Sequence, residues 1–209
     1  MNWQLVTFFG DSTVLLPSAA VLFIVLLLRR DSTSVAWQWA LVFGITGAIV
    51  CASKLAFMGW GIGNRELDFT GFSGHTALSS AFWPILLWLL SSRAVPVVRL
   101  FSVLFGYALA GLVGYSRLII HAHSPSEVVA GLLLGAAGSA LFLMLQLRAS
   151  GVHTAPLSWG SLASVLIIPV VLLNTGAKAP TQSLLAEIAV KIGPLDKPFT
   201  RADLHKRFY

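Results

Sequence analysis

Apolar residues in this chain come in long runs that are separated by short polar connections. Six runs come close to the roughly seventeen or more residues that a helix needs to cross a bilayer. The pattern predicts an all-α fold, a polytopic membrane helical bundle with about six transmembrane helices. The runs occupy residues 12–28, 35–58, 76–90, 97–115, 128–147 and 157–173.

The end of the chain differs from these runs. We expect residues 1–176 to form the membrane-embedded domain and residues 177–209 to form a basic C-terminal tail. Within the tail, residues 183–192 have an amphipathic pattern, with Leu184, Leu185, Ile188 and Ile192 on one face, which fits a short interfacial helix; a partly ordered tail is the alternative.

Charged residues are scarce. Of the 209 residues, 56% are hydrophobic and 11% are charged, whereas a soluble domain has about 25% charged residues. This deficit predicts an integral membrane protein. The net charge is +6, but the basic residues flank the spans or lie in the tail, so no nucleic-acid partner is expected. Cys51 is the single cysteine, which excludes a disulfide within the chain, and its apolar surroundings predict a small core residue.

Two polar stretches lie where apolar runs begin or end. A charge in the middle of a membrane helix costs about 2.5–3.5 kcal/mol, so polar residues at membrane depth indicate a functional site. Alternate loops of a helical bundle fall on the same side of the membrane, so the two stretches should meet there, next to Lys54. The stretches are Phe72-Ser73-Gly74-His75-Thr76 and residues 116–127.

The residue types in these stretches suit a bound phosphate group. Lys54 and Arg117 supply two fixed positive charges, and arginine binds phosphate oxygens in a bidentate manner. Ser73 and Gly74 open a helix, where backbone N–H groups make an anion site and a glycine allows close approach. Together they predict a phosphate cradle.

Two histidines accompany this cradle, and they suit phosphoryl transfer without a metal ion. One histidine attacks phosphorus, and the other protonates the leaving oxygen. Ser124 is a good N-cap and Pro125 a good first helical residue, so Glu127 would point back toward His123 and fix its tautomer. The same Ser-x-x-Glu spacing also fits a capping box that only stabilises the helix.

These motifs resemble those of a known family. Ser-Gly-His, followed by Ser-Arg, five residues, His, three residues and an acidic residue, resembles the second and third motifs of the type 2 phosphatidic acid phosphatase family. That superfamily of membrane lipid phosphatases also includes vanadium haloperoxidases and bacterial acid phosphatases. The resemblance covers residues 54–147.

The sequence departs from the family pattern at three positions. Glu127 replaces an aspartate, and Phe72 stands where the family usually has proline. The family's first motif is Lys, six residues and Arg-Pro, whereas Lys54 is followed by Arg65 after ten residues, with Glu66 in place of the proline.

The resemblance implies a role for each matching residue. His123 is the nucleophile, Glu127 its partner and His75 the general acid. The phosphate ligands implied are Lys54, Ser73, Gly74, Arg117 and Arg65. His121 has no role in the family pattern, and we interpret it as a bystander or a substrate contact.

The expected activity is hydrolysis of a lipid phosphomonoester or pyrophosphate through a phosphohistidine, with no metal or other cofactor. Phosphatidate, phosphatidylglycerophosphate, undecaprenyl pyrophosphate and lipid A phosphates fit equally well. Three alternatives remain open: transfer of the phosphoryl group to another lipid, a non-catalytic anion-binding transporter, and a zinc site. The zinc ligands would be His75, His121, His123 and Glu127.

Basic residues give the expected orientation. They are equally numerous on both sides near the membrane, but Lys54, Arg65 and Arg117 belong to the candidate site. Without these three, the positive-inside rule places the loops with Arg29, Arg93 and Arg148 in the cytoplasm. We therefore expect a multi-pass protein of the inner (cytoplasmic) membrane, with its active site on the periplasmic or outer face.

Overall fold

The computed structural model describes residues 2–29, 32–148 and 181–206, together with residues 160, 163–165 and 167. Regular structure in these residues is helical, apart from one isolated bridge between Asn64 and Phe69. This confirms the predicted all-α membrane bundle. Its α-helices are α1 (Trp3–Phe8), α2 (Ser12–Leu27), α3 (Thr33–Trp60), α4 (Gly74–Leu90), α5 (Pro96–Ile119), α6 (Pro125–Arg148), α7 (Thr181–Ile192) and α8 (Arg201–Lys206).

Four stretches of the described residues are long and apolar enough to cross a membrane. They are Trp3–Leu27, which joins α1 to α2, and the helices α3, α5 and α6. The protein is therefore a multi-pass membrane protein. Helix α4 corresponds to the third predicted run and, at 17 residues, is shorter than these four stretches. The sixth predicted run, residues 157–173, falls mostly outside the described residues, although Val165 within it is buried in the main core.

Helix α4 is the centre of the bundle. It packs against α2, α3, α5 and α6, and most of its side chains are buried. Glycines on the neighbouring helices permit this close packing. A Cβ at Gly106 would come within 2.6 Å of Pro84 Cα, and one at Gly131 within 2.8 Å of the Ser73 carbonyl oxygen. The second contact brings α6 against the start of α4, where the candidate site lies.

The start of α6 follows the predicted capping pattern. The helix begins at Pro125. The Glu127 N–H donates to Ser124 Oγ over 3.4 Å, and the Ser124 N–H donates to Glu127 Oε2 over 3.2 Å. This is a reciprocal capping box. The glutamate therefore does cap its own helix, in addition to the contact with histidine described below.

The predicted helix of the tail is present as α7, which packs on α3. Its buried face differs from the predicted one. Ala189 is fully buried and Leu185 packs beside it, whereas Leu184 and Ile192 are 54% and 55% exposed. Gly193 lets the end of α7 approach α3, because a Cβ there would lie 2.6 Å from the Gly59 carbonyl oxygen. Which side chains of α7 are buried therefore depends on how α7 packs against α3, and not on its apolar pattern alone.

Candidate active site

The candidate residues come together at one end of the bundle. Helices α4 and α6 begin at this end, and α3 and α5 finish there. Lys54 lies in the last two turns of α3, and Arg117 lies in the last turn of α5. Because α5 runs to Ile119, beyond the predicted end at residue 115, Arg117 is held on a helix and not on a loop.

His123 and Glu127 form the closest pair in the site. Nδ1 of His123 lies 2.6 Å from Glu127 Oε2, so the other ring nitrogen, Nε2, is left for a substrate. Glu127 is fully buried. Its Oε1 accepts from the N–H of Thr70 at 2.8 Å and from the Thr70 hydroxyl at 2.5 Å. Arg201 Nη2 also donates to Oε1, over 2.7 Å.

Burial also affects the protonation of His123. It holds the pKa of His123 below its ordinary value of 6.5, because the imidazolium form is poorly solvated. The hydrogen bond to Glu127 opposes this shift without reversing it. Lys54 and Arg117 add to the lowering, because both are positive. The imidazole is therefore neutral at neutral pH, as a nucleophile must be.

The second histidine has a carboxylate of its own. His75 Nε2 lies 3.6 Å from Asp11 Oδ2, and the two form an ion pair whenever His75 is protonated. Asp11 is the N-cap of α2, where its side chain accepts from the Thr13 N–H over 2.8 Å. The capping role fixes the carboxylate, and the packing of α2 against α4 brings it to His75.

The two cationic side chains are each held by one polar neighbour. Lys54 Nζ donates to Gln182 Oε1 of α7 over 3.2 Å. Arg117 Nη1 donates to Thr7 Oγ1 of α1 over 2.9 Å, and its Nε is buried without a hydrogen-bond partner. Neither cation forms an ion pair with a carboxylate in the described part of the chain, so both retain charge for an anion.

The start of α4 is built as predicted, with Ser73 as N-cap and Gly74 as the first helical residue. Ser73 is fully buried. Its N–H donates to the Glu127 carbonyl oxygen over 3.1 Å, and its hydroxyl lies 2.9 Å from Thr76 Oγ1. In this structure Ser73 therefore joins α4 to α6 and does not face the cavity, whereas Gly74 does.

A cavity of about 590 Å³ connects these groups. One end is polar and the other is apolar, and none of the described residues that line it is acidic. Helices α2, α3, α4 and α7 supply the apolar part. The polar end is formed by Lys54, Gly74, His75, Arg117 and His123, and the apolar part by residues such as Leu16, Phe43, Gly44, Gly47, Val50, Cys51, Leu78 and Leu185.

Two residues, Arg65 and Cys51, lie where the sequence did not lead us to expect them. Arg65 is exposed on the loop after α3 and does not line the cavity. Cys51 is exposed in the cavity, so the prediction of a core cysteine is wrong. His121 is exposed and has a φ of 53°, in the left-handed region, at the end of α5. The alternative zinc set is not formed in the described residues, among which no group of three or more potential ligands is found.

Sequence reasoning missed the residues that support the site from other parts of the chain. No motif marks them, and their contacts span long stretches of sequence. The only usable signal was the position of Asp11 just before an apolar run, which is typical of an N-cap. The missed residues are Thr7, Asp11, Asp68, Thr70, Gln182 and Arg201.

Comparison with known proteins agrees with this geometry. The family profile described as the PAP2 superfamily matches residues 59–150. A protein of Klebsiella pneumoniae, described as an uncharacterized 22.5 kDa protein in the cps region, is 69% identical over 207 residues, which are 99% of each chain. No solved structure matches the chain. Because the profile covers both polar stretches and helices α4 to α6, the chain belongs to the PAP2 superfamily, which confirms the family resemblance of its motifs and supports a phosphatase-type activity.

Proposed function

We propose that the protein hydrolyses a lipid phosphomonoester or pyrophosphate through a phosphohistidine on His123. One observation carries the proposal. A histidine held by a buried carboxylate shares a cavity with two cations and with a second histidine that has its own carboxylate. Each group needed for phosphoryl transfer therefore has a counterpart at the polar end of the cavity.

In the first step, Nε2 of His123 attacks phosphorus and the bond to the leaving oxygen breaks. Protonated His75 gives its proton to that oxygen, so an alcohol, or a phosphate with one charge fewer, departs. Glu127 stabilises the positive charge that develops on His123. Lys54 and Arg117 bind the phosphoryl oxygens, together with the N–H groups that the start of α4 leaves free of helical bonds. These groups supply the charge that a metal ion supplies in other phosphoryl-transfer enzymes.

In the second step, water attacks the phosphohistidine. His75, now neutral, removes a proton from the water, and the bond between phosphorus and His123 Nε2 breaks. Inorganic phosphate leaves, and both histidines return to their starting forms. In this proposal Arg65 has no place among the phosphate ligands, because it lies outside the cavity.

The apolar part of the cavity supports a lipid substrate. On α3 its lining residues recur every three or four positions from Phe43 to Lys54, which forms one stripe along the helix. At 1.5 Å per residue this stripe is about 16 Å long. No atom of the described residues would lie within 4 Å of a Cβ at Gly44, and a Cβ at Gly47 would meet only Leu78 Cδ2 among these residues, at 3.9 Å. A hydrocarbon chain attached to a phosphate at the polar end would have room along this stripe.

We place the site on the outer face of the cytoplasmic membrane. Arg29 and Arg93 follow the ends of α2 and α4, and Arg148 is the last residue of α6; all three helices begin at the site. The positive-inside rule then puts the site outside. In a Cys51→Ala background, a cysteine at Ala122 should react with an impermeant maleimide in whole cells. A cysteine at Val95 should react only after permeabilisation, and the reverse result would contradict the orientation.

Purified protein in lipid nanodiscs tests the reaction itself. We expect phosphate release from at least one of the four lipid classes above, and the rate should be unchanged by a chelator. Rapid denaturation should trap labelled phosphate on His123, and His123→Ala should abolish both label and turnover. A label on His75, a label that persists in His123→Ala, or activity restored by a specific metal would contradict the mechanism. Release that requires an acceptor lipid would indicate a phosphotransferase.

A further inference from the structure

One oxygen of the Glu127 carboxylate binds an arginine from the other end of the chain. Arg201 begins α8, and its Nη2 donates to Glu127 Oε1 over 2.7 Å. The two residues are 74 positions apart, and no motif of the site includes Arg201. Because Arg201 does not line the cavity, it contacts the carboxylate and not the place where phosphate would bind.

Arg201 is itself fixed by the loop between α3 and α4. Its Nη1 donates to the Asp68 carbonyl oxygen over 3.1 Å and also to the Asp68 carboxylate. Asp68 has a φ of 49°, a left-handed conformation that is uncommon outside glycine. His205 Nε2 lies 2.9 Å from the other oxygen of this carboxylate. One guanidinium thus joins the loop to α6 with a fork geometry that lysine lacks.

Apolar contacts hold the segment around α8 independently of Arg201. The rings of Phe199 and Phe57 pack edge to face, with centroids 5.4 Å apart. The Phe199 N–H donates to the Met58 carbonyl oxygen over 2.8 Å, and Leu204 is buried in the same cluster. Replacing Arg201 should therefore remove its contact with Glu127 and leave the segment attached to α3.

The distribution of donors around the carboxylate indicates what the arginine does. Oε2 of Glu127 meets His123 Nδ1 and the Ser124 N–H, whereas Oε1 meets Thr70 and Arg201. A glutamate has one more rotatable bond than the aspartate of the family pattern, so its carboxylate has more positions to explore. Donors on Oε1 restrict the rotation and keep Oε2 against the histidine.

We infer that Arg201 is a positioning residue of this site: it fixes Glu127 Oε1 so that Oε2 keeps His123 in the Nδ1–H tautomer. The inference rests on the proposed role of His123 as the nucleophile. The alternative is a salt bridge that only attaches the tail to the bundle. Such a bridge would affect stability without affecting the imidazole, so the two can be distinguished.

The test compares Arg201→Gln, which removes the charge, with Arg201→Lys, which keeps it. Lys197→Gln is the matched control, because it removes an exposed charge from the same segment. Lys54 and Arg117, which also act on His123, stay unchanged in all variants. One readout is the kcat and KM of phosphate release. The other is the tautomer of His123, measured from the ¹⁵N shifts of labelled histidine in nanodiscs and assigned with His123→Gln.

We expect Arg201→Gln to lower kcat about tenfold with little change in KM, the lower end of the range for residues that orient a functional histidine in metal sites. His123 should change from one tautomer to a mixture of two. Arg201→Lys should recover part of both losses. In a Glu127→Gln background, Arg201→Gln should cause no further loss of kcat, because the two residues act through one carboxylate.

Several results would overturn the inference: an unchanged tautomer in Arg201→Gln, an equal loss in Lys197→Gln, or additive losses in the double variant. The tautomer readout also separates this inference from the proposed function. If the wild type releases phosphate from no lipid, the proposed function fails. In that case the effect of Arg201→Gln on the His123 tautomer still decides the positioning role.

Discussion

Replacing Glu127 by glutamine removes one charge and changes little in volume, but it changes which groups can be paired. The carboxylate accepts on both oxygens. Thr70 and Arg201 donate to Oε1, and the Ser124 N–H donates to Oε2, which also meets Nδ1 of His123. An amide has one oxygen that accepts and one NH₂ group that donates, so glutamine must leave some of these donors unpaired.

The two orientations of the amide are not equally costly. With the NH₂ group in place of Oε1, it faces the Thr70 N–H and the charged Arg201. With the NH₂ group in place of Oε2, only the Ser124 N–H loses its acceptor, because His123 can change tautomer and accept at Nδ1. An unpaired buried donor costs about 1–3 kcal/mol, and more when it is charged. The second orientation should therefore prevail.

That orientation removes the nucleophile. With Nδ1 accepting, the proton of His123 lies on Nε2, and the lone pair that should attack phosphorus is occupied. The analogous change of aspartate to asparagine behind the histidine of a serine protease costs about 10⁴-fold in kcat through the wrong tautomer. We expect a similar loss for Glu127→Gln, about 5 kcal/mol at 1.36 kcal/mol per tenfold change.

The assay is phosphate release in nanodiscs, with kcat corrected for the folded fraction. Stability should fall by about 1–3 kcal/mol from the unpaired Ser124 N–H, which thermal unfolding measures separately. Glu127→Asp is the matched control, because it keeps the carboxylate and should retain more activity than Glu127→Gln. If Glu127→Gln keeps kcat within tenfold of the wild type, or if His123 stays in the Nδ1–H tautomer, this reasoning is wrong.

Four further predictions follow from the cavity and its histidines. The fall of kcat/KM on the acidic side of the pH–rate profile should lie below pH 6.5, because the lowered pKa of His123 keeps its imidazole neutral. The free energy of unfolding should decrease as the pH drops from 6.5 toward that lowered pKa, since the unfolded chain then binds a proton that the folded chain does not. A fall of kcat/KM that begins above pH 6.5 would contradict this. A maleimide should react with Cys51 and inhibit the enzyme, inorganic phosphate should slow the reaction, and Cys51→Ala should be insensitive; inhibition of Cys51→Ala would refute it. Gly47→Leu should raise KM for a long-chain lipid more than for a short-chain ester, with a smaller effect in Gly47→Ala; equal effects on both substrates would argue against a chain along α3. Asp11→Asn should slow alkyl phosphates more than aryl phosphates, because His75 then loses the partner of its protonated form; a uniform loss would assign Asp11 a structural role only.

Local signals were sufficient for helices α2 to α6 and for the position at which α6 starts. The apolar runs predicted α2 to α6 because lipid-exposed and buried positions are both apolar in a membrane bundle. Ser124 and Pro125 predicted the start of α6 because capping depends on residues a few positions apart. For the same reason the direction of Glu127 toward His123 could be predicted. The six-residue α1 was missed, since it is too short to have a periodic pattern.

Contacts from distant segments that belong to no motif could not be predicted. Asp11 and Arg201 approach the site only because α2 and α8 pack where they do, and the sequence contains no pattern for that packing. Arg65 has a more local explanation. In the family pattern the arginine follows the lysine after six residues, which corresponds to position 61 in this chain. Helix α3 ends at Trp60, and position 61 is a glycine in the left-handed conformation, with a φ of 68°. The longer spacing therefore places Arg65 beyond the turn, on the exposed loop.

Each of the two histidines that line the cavity contacts a carboxylate, and the two carboxylates have different partners. Glu127 has two ion-pair partners among the described residues, His123 and Arg201, so its negative charge is shared. Asp11 has one, His75. A carboxylate whose charge is shared with an arginine stabilises an imidazolium less than one that faces the imidazole alone. The arrangement thus gives each histidine a carboxylate in a different setting: Glu127 is fully buried and shared with Arg201, whereas Asp11 is partly exposed. The ends of the chain, through α2 and α8, therefore add one support to each of the two histidines that the central motifs contain.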